Sequence, residues 1–109
     1  MRHAIRIAVA AGVPIALGTD AGVGRHGANG HEFTLMSQWG GMTPLQVIQA
    51  GTANAARLLG WQDRIGTLAP GKLADVVAVA GDPMQNVQTL ETAVFVMKNG
   101  VVYREPTRP

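Results

Sequence analysis

A short apolar run that ends in one carboxylate constrains the fold of this chain more than any other feature. Residues 13–17 read Val-Pro-Ile-Ala-Leu, and residues 18–22 (Gly-Thr-Asp-Ala-Gly) follow directly. The run has no polar side chain on either face, which is typical of a strand buried in a parallel sheet between layers of helix. The sequence therefore predicts a strand over residues 13–18 that delivers Asp20 to a loop at its carboxyl end.

Helical segments are predicted on both sides of this strand. Residues 2–11 carry apolar side chains at helical spacing, and residues 31–39 do so after a glycine-rich loop. Thr43 is typical of a helix N-cap, and Pro44 favours the first helical position, so a third helix is predicted to about residue 59. The order helix, strand, helix, helix indicates an α/β fold.

The third predicted helix has an irregular interior. Gly51 and Thr52 are weak helix formers near its middle, so we expect a kink or a close helix contact there. The residues predicted to face the core are Leu45, Ile48, Ala55 or Ala56, Leu58 and Leu59.

The rest of the chain has the character of a small β unit. A strand is predicted over residues 73–80, and a single helical turn over residues 86–91. The dipeptide at 99–100 (Asn-Gly) separates two apolar runs, and it is the strongest two-residue signal for a type I′ hairpin turn. Asp75 is expected to be a structural carboxylate paired with Lys72.

The chain is too short to complete the fold that its first half predicts. A strand that carries a carboxylate to its carboxyl end is how a β/α barrel presents a catalytic group, but such a barrel needs about 250 residues. This chain has 109. One strand cannot make a sheet, so we expect an incomplete fold, with a boundary near residues 60–63 between an α/β part and a β part.

Composition excludes several classes of function. Nine Lys and Arg residues against seven Asp and Glu give a net charge of +2, and the arginines are dispersed, so no nucleic-acid surface is indicated. No stretch has the length of a membrane span. Cysteine is absent, which excludes disulfides and thiolate metal sites. A cytoplasmic location fits these features, although export is compatible with them too.

Asp20 is the leading candidate for chemistry. A carboxylate at a strand end can bind a divalent metal or take a proton from water, but an aspartate in such a loop can equally cap a turn, and the local pattern alone favours the turn. His26, His31 and Glu32 are further possible metal ligands. Their spacing is not that of His-Glu-x-x-His on a helix, so exposed loop positions are an equally open interpretation.

Three groups of residues carry a resemblance to a known family. The first is Gly18-Thr19-Asp20-Ala21-Gly22 followed by His26, Gly27, Asn29 and Glu32. The second runs from Gly41-Met42-Thr43-Pro44 through Ile48, Ala50, Thr52, Asn54 and Ala56 to Leu59-Gly60. The third is Ile65-Gly66-Thr67-Leu68-Ala69-Pro70-Gly71-Lys72-Leu73-Ala74-Asp75-Val76-Val77, then Gly81-Asp82-Pro83 and Val96-Met97-Lys98-Asn99-Gly100. Together they resemble the C-terminal end of the metal-dependent amidohydrolase superfamily, in its imidazolonepropionase-like and Xaa-Pro dipeptidase (prolidase-type) branch.

The resemblance implies a distorted (β/α)8 TIM-like barrel beside a small β-sandwich. Residues 1–60 would supply the last strand and helices of the barrel, with residues 13–18 as the eighth strand. Residues 61–109 would supply the C-terminal part of the sandwich. The remaining barrel would then be a partner of this chain, and a homo-oligomer is a further expectation.

The resemblance also implies an activity and a site. Family members hydrolyse an amide or other C–N bond in a small molecule or short peptide with one or two divalent metals, usually zinc. Asp20 would be the metal ligand that shuttles a proton from water to the leaving amine, and His26 and Asn29 would contact substrate. The family's other metal ligands have no counterpart in this sequence, so we expect the chain alone to be inactive. The alternative hypothesis is an inactive fragment that acts as an assembly or interaction module.

Overall fold

A computed structural model describes residues 2–107 of the protein. The helices are α1 (Arg2–Ala10), α2 (His31–Gly40), α3 (Pro44–Gly51) and α4 (Ala53–Leu58), and a 3-10 helix spans Val87–Glu91. The strands are β1 (Val76–Val79), β2 (Ala93–Lys98) and β3 (Val101–Arg104). Among the described residues, none of the helices combines the length and the hydropathy that crossing a membrane requires.

The predicted strand over residues 13–18 is not a strand within the described part of the chain. A strand needs a hydrogen-bonded neighbour, and the segment instead lies along α3 and α4. The backbone N–H of Leu17 donates to the carbonyl of Ala50 at 2.9 Å, and the Asn54 amide donates to the carbonyl of Ile15 at 3.0 Å. Ile15 and Leu17 also pack against the buried core. The segment therefore keeps the apolar contacts that the sequence predicts, but not the sheet.

The helix that starts at Pro44 is capped as predicted. The Gln46 backbone N–H donates to the Thr43 hydroxyl at 3.3 Å, and the Thr43 N–H donates to the Gln46 side-chain oxygen at 2.9 Å, so the two residues form a capping box. The helix predicted to about residue 59 is divided into α3 and α4 at the place where a kink or a close contact is expected. Thr52, at φ −127° and ψ −92°, interrupts the helix, and its hydroxyl donates to the carbonyl of Ile48 at 2.7 Å.

The close helix contact expected near Gly51 is confirmed. A Cβ on Gly51 would lie only 2.6 Å from the Cε1 atom of the Phe33 ring, far inside normal contact distance. The absence of a side chain at Gly51 is thus what lets α2 and α3 approach each other here.

The core lies between the helices and includes a contribution from the 3-10 helix. Its buried members are Met36, Met42, Val47 and Ala50. Partly buried side chains pack around them, namely Ile5, Val9, Ile15, Leu17, Phe33, Val87 and Leu90. Residues from before and after position 61 therefore share one core.

The predicted core side of the third helix is wrong at its three leucines, whereas Ala56 is buried as predicted and Ile48 is partly buried. Leu45, Leu58 and Leu59 are 49%, 77% and 66% exposed, whereas Val47 and Ala50 are fully buried. The interruption at Thr52 separates α3 from α4, so a single helical stripe drawn through residues 44–59 does not describe either helix.

The sheet is antiparallel, with strands in the order β1, β2, β3. Asn99 and Gly100 join β2 to β3, and both have positive φ, of 48° and 79°, as a type I′ turn requires. The hairpin prediction is therefore confirmed. The single helical turn predicted over residues 86–91 is also confirmed, as the 3-10 helix, whose N-terminus is capped by the Asn86 side chain accepting from the Gln88 N–H at 3.1 Å.

The predicted pairing of Asp75 with Lys72 is wrong. The Asp75 carboxylate accepts the backbone N–H of Asn99 at 2.7 Å and so secures the hairpin turn. The Lys72 ammonium donates to the carbonyl of Gln62 at 2.6 Å and to the hydroxyl of Thr67 at 2.7 Å. Asp75 is structural, as expected, but its partner is a backbone group because the turn brings that N–H to it.

Truncation of Val47 tests the position of the core. Val47→Ala removes two buried methyl groups at a fully buried position, so we expect the free energy of unfolding to fall by roughly 1–3 kcal/mol. Leu45→Ala, in the same helix but half exposed, is the matched control and should cost about 0.5 kcal/mol or less. Denaturant unfolding followed by circular dichroism measures both. Equal losses in the two variants would contradict this core.

Candidate functional site

Asp20 follows residues 13–19 in the chain and lies at the edge of an open cleft. Its φ is 47°, in the left-handed region that few residues other than glycine adopt, although aspartate tolerates it better than most. The cleft has a volume of about 260 Å³ and is formed by the loop before α2 and the first turn of that helix. Its polar lining consists of Thr19, Asp20, Arg25, Asn29, His31 and Glu32.

The carboxylate of Asp20 is exposed and makes no hydrogen bond with any residue from 2 to 107. The turn-capping interpretation of this residue is therefore wrong. Asp82 shows what such capping looks like here, since its Oδ1 accepts the N–H of Met84 at 2.9 Å. The Asp20 carboxylate, in contrast, is available to a ligand that binds in the cleft.

Asn29 closes the loop around the cleft. Its Nδ2 donates to the Thr19 hydroxyl at 3.0 Å, which ties the end of the loop to the residue before Asp20. The side-chain oxygen of Asn29 remains available for a ligand. Asn29 and Asp20 therefore line the same cleft, and the amide nitrogen of Asn29 is already bonded to Thr19.

His26 lies away from the Asp20 cleft, in an adjoining one of about 550 Å³. That second cleft is lined also by Arg25, His31 and Glu91, and the two clefts share Arg25, Ala28 and His31. His26 is exposed. The structure therefore does not place the side chains of His26 and Asp20 in one cleft.

The structure also reveals a polar cluster that the sequence did not predict. The Glu91 Oε1 lies 3.0 Å from the His31 Nδ1 and accepts a hydrogen bond from the hydroxyl of Thr34, a residue that is only 4% exposed. These two bonds hold the pKa of the Glu91 carboxyl below its usual value of 4.5, and the bond from Thr34 makes the larger contribution. No local pattern could have revealed this cluster, because Glu91 is distant in sequence from both partners.

The described residues do not by themselves form a metal centre. Between residues 2 and 107, no group of three or more His, Asp or Glu side chains is arranged to hold a metal ion. Catalytic zinc sites use about three protein ligands. Asp20 can therefore contribute one ligand, and His26, His31 and Glu32 do not complete a set with it in this structure.

Comparison with known proteins identifies the family. A model of the amidohydrolase family matches residues 1–104, nearly the whole chain. The chain belongs to the amidohydrolase family. This amidohydrolase segment is 38% identical over 103 residues to the ochratoxinase of Aspergillus niger, an alignment that covers 91% of this chain and 21% of that protein.

Two further relatives place the chain within the family. It is 41% identical over 69 residues to the imidazolonepropionase of Geobacillus kaustophilus (strain HTA426), covering 62% of this chain and 16% of that protein. A crystal structure of a Xaa-Pro dipeptidase with bound methionine in the active site has a TM-score of 0.89 to this chain, at 42% identity, over 94% of this chain and 25% of that one. The prolidase-like and imidazolonepropionase-like resemblance is confirmed, and the amidohydrolase segment spans only 16–25% of the length of these three relatives.

The Glu91 cluster predicts a pH dependence of stability. A carboxyl whose pKa is lowered by folding stabilises the folded state above its unfolded pKa, and this contribution is lost as the pH falls through the lower, folded pKa. We therefore expect the unfolding free energy of the wild-type protein to fall more steeply below about pH 4.5 than that of Glu91→Gln. Urea unfolding at a series of pH values measures the difference. Glu105→Gln, at an exposed position, should follow the wild type, and identical slopes for Glu91→Gln and the wild type would refute the coupling.

Proposed function

We propose that the chain is the C-terminal segment of a metal-dependent amidohydrolase that hydrolyses an amide or other C–N bond in a small molecule or short peptide. The observation that supports this most directly is the free carboxylate of Asp20 in an open cleft, in a chain that matches the amidohydrolase family over residues 1–104. The named relatives, an ochratoxinase, an imidazolonepropionase and a Xaa-Pro dipeptidase, make a small substrate the natural expectation for this chain too.

In this proposal, residues 13–18 are the last strand of the barrel. Two observations support the assignment. The segment is apolar, and its hydrogen bonds to other elements within residues 2–107 are the Val13–Ala8, Leu17–Ala50 and Ile15–Asn54 bonds, so most of its backbone groups are free to pair with a neighbouring strand. Residues 1–60 then form the end of the barrel, and residues 61–109 form part of the small sandwich.

Asp20 acts at two points in the proposed reaction. It contributes one ligand to the metal, and its carboxylate takes a proton from the hydrolytic water and passes it to the leaving amine. The metal, for which zinc is our proposal, supplies Lewis-acid polarisation of the scissile carbonyl and lowers the pKa of water. The other ligands of its one or two ions would come from residues outside 2–107. The exposure of Asp20 and its lack of a protein partner within that range are what such roles require.

The substrate would contact the loop that surrounds Asp20. Asn29 has an unused amide oxygen beside Thr19, and His26 lies in the adjoining cleft, where it can reach a part of the substrate that extends beyond the Asp20 cleft. We further propose assembly with the rest of the barrel, with a homo-oligomer as a further possibility, and a location in the cytoplasm.

Asp20→Asn in the intact protein tests the central role. Asparagine has the shape of aspartate and tolerates positive φ, so the fold should be kept while the proton-accepting carboxylate is lost. We expect kcat for amide hydrolysis to fall by roughly a hundredfold or more, with an unchanged melting temperature. A panel of N-acyl amino acids and dipeptides, with release of free amine as the readout, provides the assay.

The matched control for this experiment is Asp63→Asn. Asp63 is an exposed carboxylate in a turn outside the clefts described above, so its loss should leave kcat within a factor of about two. Near-normal turnover of Asp20→Asn would refute the proposed role of Asp20, whatever the control shows.

Removal of the metal tests the class of mechanism. Treatment of the intact protein with a zinc chelator should abolish amide hydrolysis, and addition of Zn²⁺ after dialysis should restore it, because the metal polarises the carbonyl and activates water. Elemental analysis before and after treatment measures the ion. Full activity in a sample free of metal would contradict a metal-dependent hydrolase.

A further inference from the structure

The position of Glu91 is set by close packing between two elements. The 3-10 helix that ends at Glu91 lies directly against Gly30, the residue before α2. A Cβ on Gly30 would be 2.7 Å from the carbonyl oxygen of Leu90 and 2.8 Å from the Cα of Glu91, so only glycine allows this approach. Leu90 and Val87 of the same 3-10 helix are packed against the core. Glu91 is therefore delivered to the first turn of α2 by rigid backbone contacts.

One oxygen of Glu91 serves two residues of α2. Its Oε1 accepts a hydrogen bond from Thr34, which is almost fully buried, and lies 3.0 Å from the Nδ1 of His31. The hydrogen bond from Thr34, whose side chain is enclosed, is a second anchor for the carboxylate in addition to the backbone contacts that place Glu91. The pKa of Glu91 is held below its usual value, so at neutral pH the group is ionised and has no proton to donate.

An ionised carboxylate can only accept hydrogen bonds, so the bond between His31 and Glu91 assigns a proton. The Nδ1 of His31 must be the donor, and in a neutral imidazole the other nitrogen, Nε2, then carries the lone pair. His31 also lines the cleft that contains Asp20. The interaction therefore selects one of the two neutral forms of a side chain at the candidate site.

We propose that Glu91 is a positioning residue that holds neutral His31 in the Nδ1–H tautomer, so that the Nε2 of His31 accepts a hydrogen bond from an N–H or O–H group of a ligand in the Asp20 cleft. Two carboxylates of that cleft, Asp20 and Glu32, are acceptors and favour a hydrogen-bond donor on the ligand, whereas Arg25 would meet an acceptor group of the same ligand. The assignment of the tautomer stands on the described geometry. Only the statement that the ligand is the substrate rests on the proposed function.

A purely structural role for Glu91 makes a different prediction. If Glu91 only tied the 3-10 helix to α2, His31 would already show the mixed tautomers of an exposed histidine in the wild type, and loss of Glu91 would lower stability without changing that pattern. Thr34→Val separates the two roles, because it removes the other hydrogen bond to Glu91 and keeps the carboxylate beside His31. Thr34→Val should therefore lower stability without changing the tautomer.

Long-range ¹H–¹⁵N NMR of the histidine rings in the intact protein tests the proposal. Spectra are recorded at a pH of about 8.5, two units above the ordinary pKa of histidine, and the peaks of His31 are assigned by their loss in His31→Gln. In the wild type and in Thr34→Val we expect Nδ1 with the shift of a protonated nitrogen and Nε2 with that of an unprotonated one. In Glu91→Ala both nitrogens should move toward the averaged shifts of mixed tautomers.

Two results would overturn the proposal. The first is a wild-type spectrum in which Nε2 of His31 carries the proton, which needs no variant to fold. The second is a Glu91→Ala spectrum in which His31 keeps the wild-type pattern. Both results are measured in the absence of substrate. They can therefore be distinguished from failure of the proposed hydrolase function, which would appear as a lack of amide hydrolysis by the wild-type protein. With an active substrate in hand, Glu91→Ala should lower kcat/KM about tenfold, as loss of a group that orients a site histidine does.

Discussion

The contact between Gly30 and the 3-10 helix is the constraint on which the candidate site depends. It places the start of α2 against the backbone of Leu90 and Glu91, too close for any side chain at position 30. This one approach orders the end of the cleft loop, and it brings Glu91 to His31 and Thr34. The β unit that follows residue 61 is therefore part of the support of the cleft, because its 3-10 helix forms one wall of the second cleft and shares the core of the helices.

Local chemistry explains which elements could be predicted from the sequence. The cap at Thr43, the Asn-Gly hairpin and the helical turn before β2 depend on residues within a few positions of one another, and all three are found. The interruption at Thr52 is indicated by the weak helix formers Gly51 and Thr52, but the burial of Val47 depends on packing against other elements, which the sequence of the helix does not contain. The strand expected at residues 13–18 fails for a similar reason, since a strand is a property of two segments and the second is not among residues 2–107.

The same distinction applies to the candidate site. Asp20 could be singled out because a carboxylate among small residues after an apolar run is a local pattern, and Asn29 lies near enough in sequence to join it. Glu91 could not, because its partners lie on a helix that precedes it by more than half of the chain and no spacing rule links them. His26 shows the limit of proximity in sequence: it is close to Asp20 along the chain, yet the loop carries it into the neighbouring cleft.

The backbone of Asp20 adds a second structural observation to its free carboxylate. Two residues other than glycine have positive φ in the described chain, Asp20 and Asn99. At Asn99 the hairpin demands this conformation, and Asp75 stabilises it by accepting the Asn99 N–H. Asp20 lies outside any hairpin, and its carboxylate accepts no hydrogen bond within residues 2–107, so neither explanation accounts for its conformation. A left-handed backbone conformation at a residue other than glycine costs free energy, and such residues concentrate at functional sites. At Asp20 this conformation presents the carboxylate in the open cleft, without a competing protein partner.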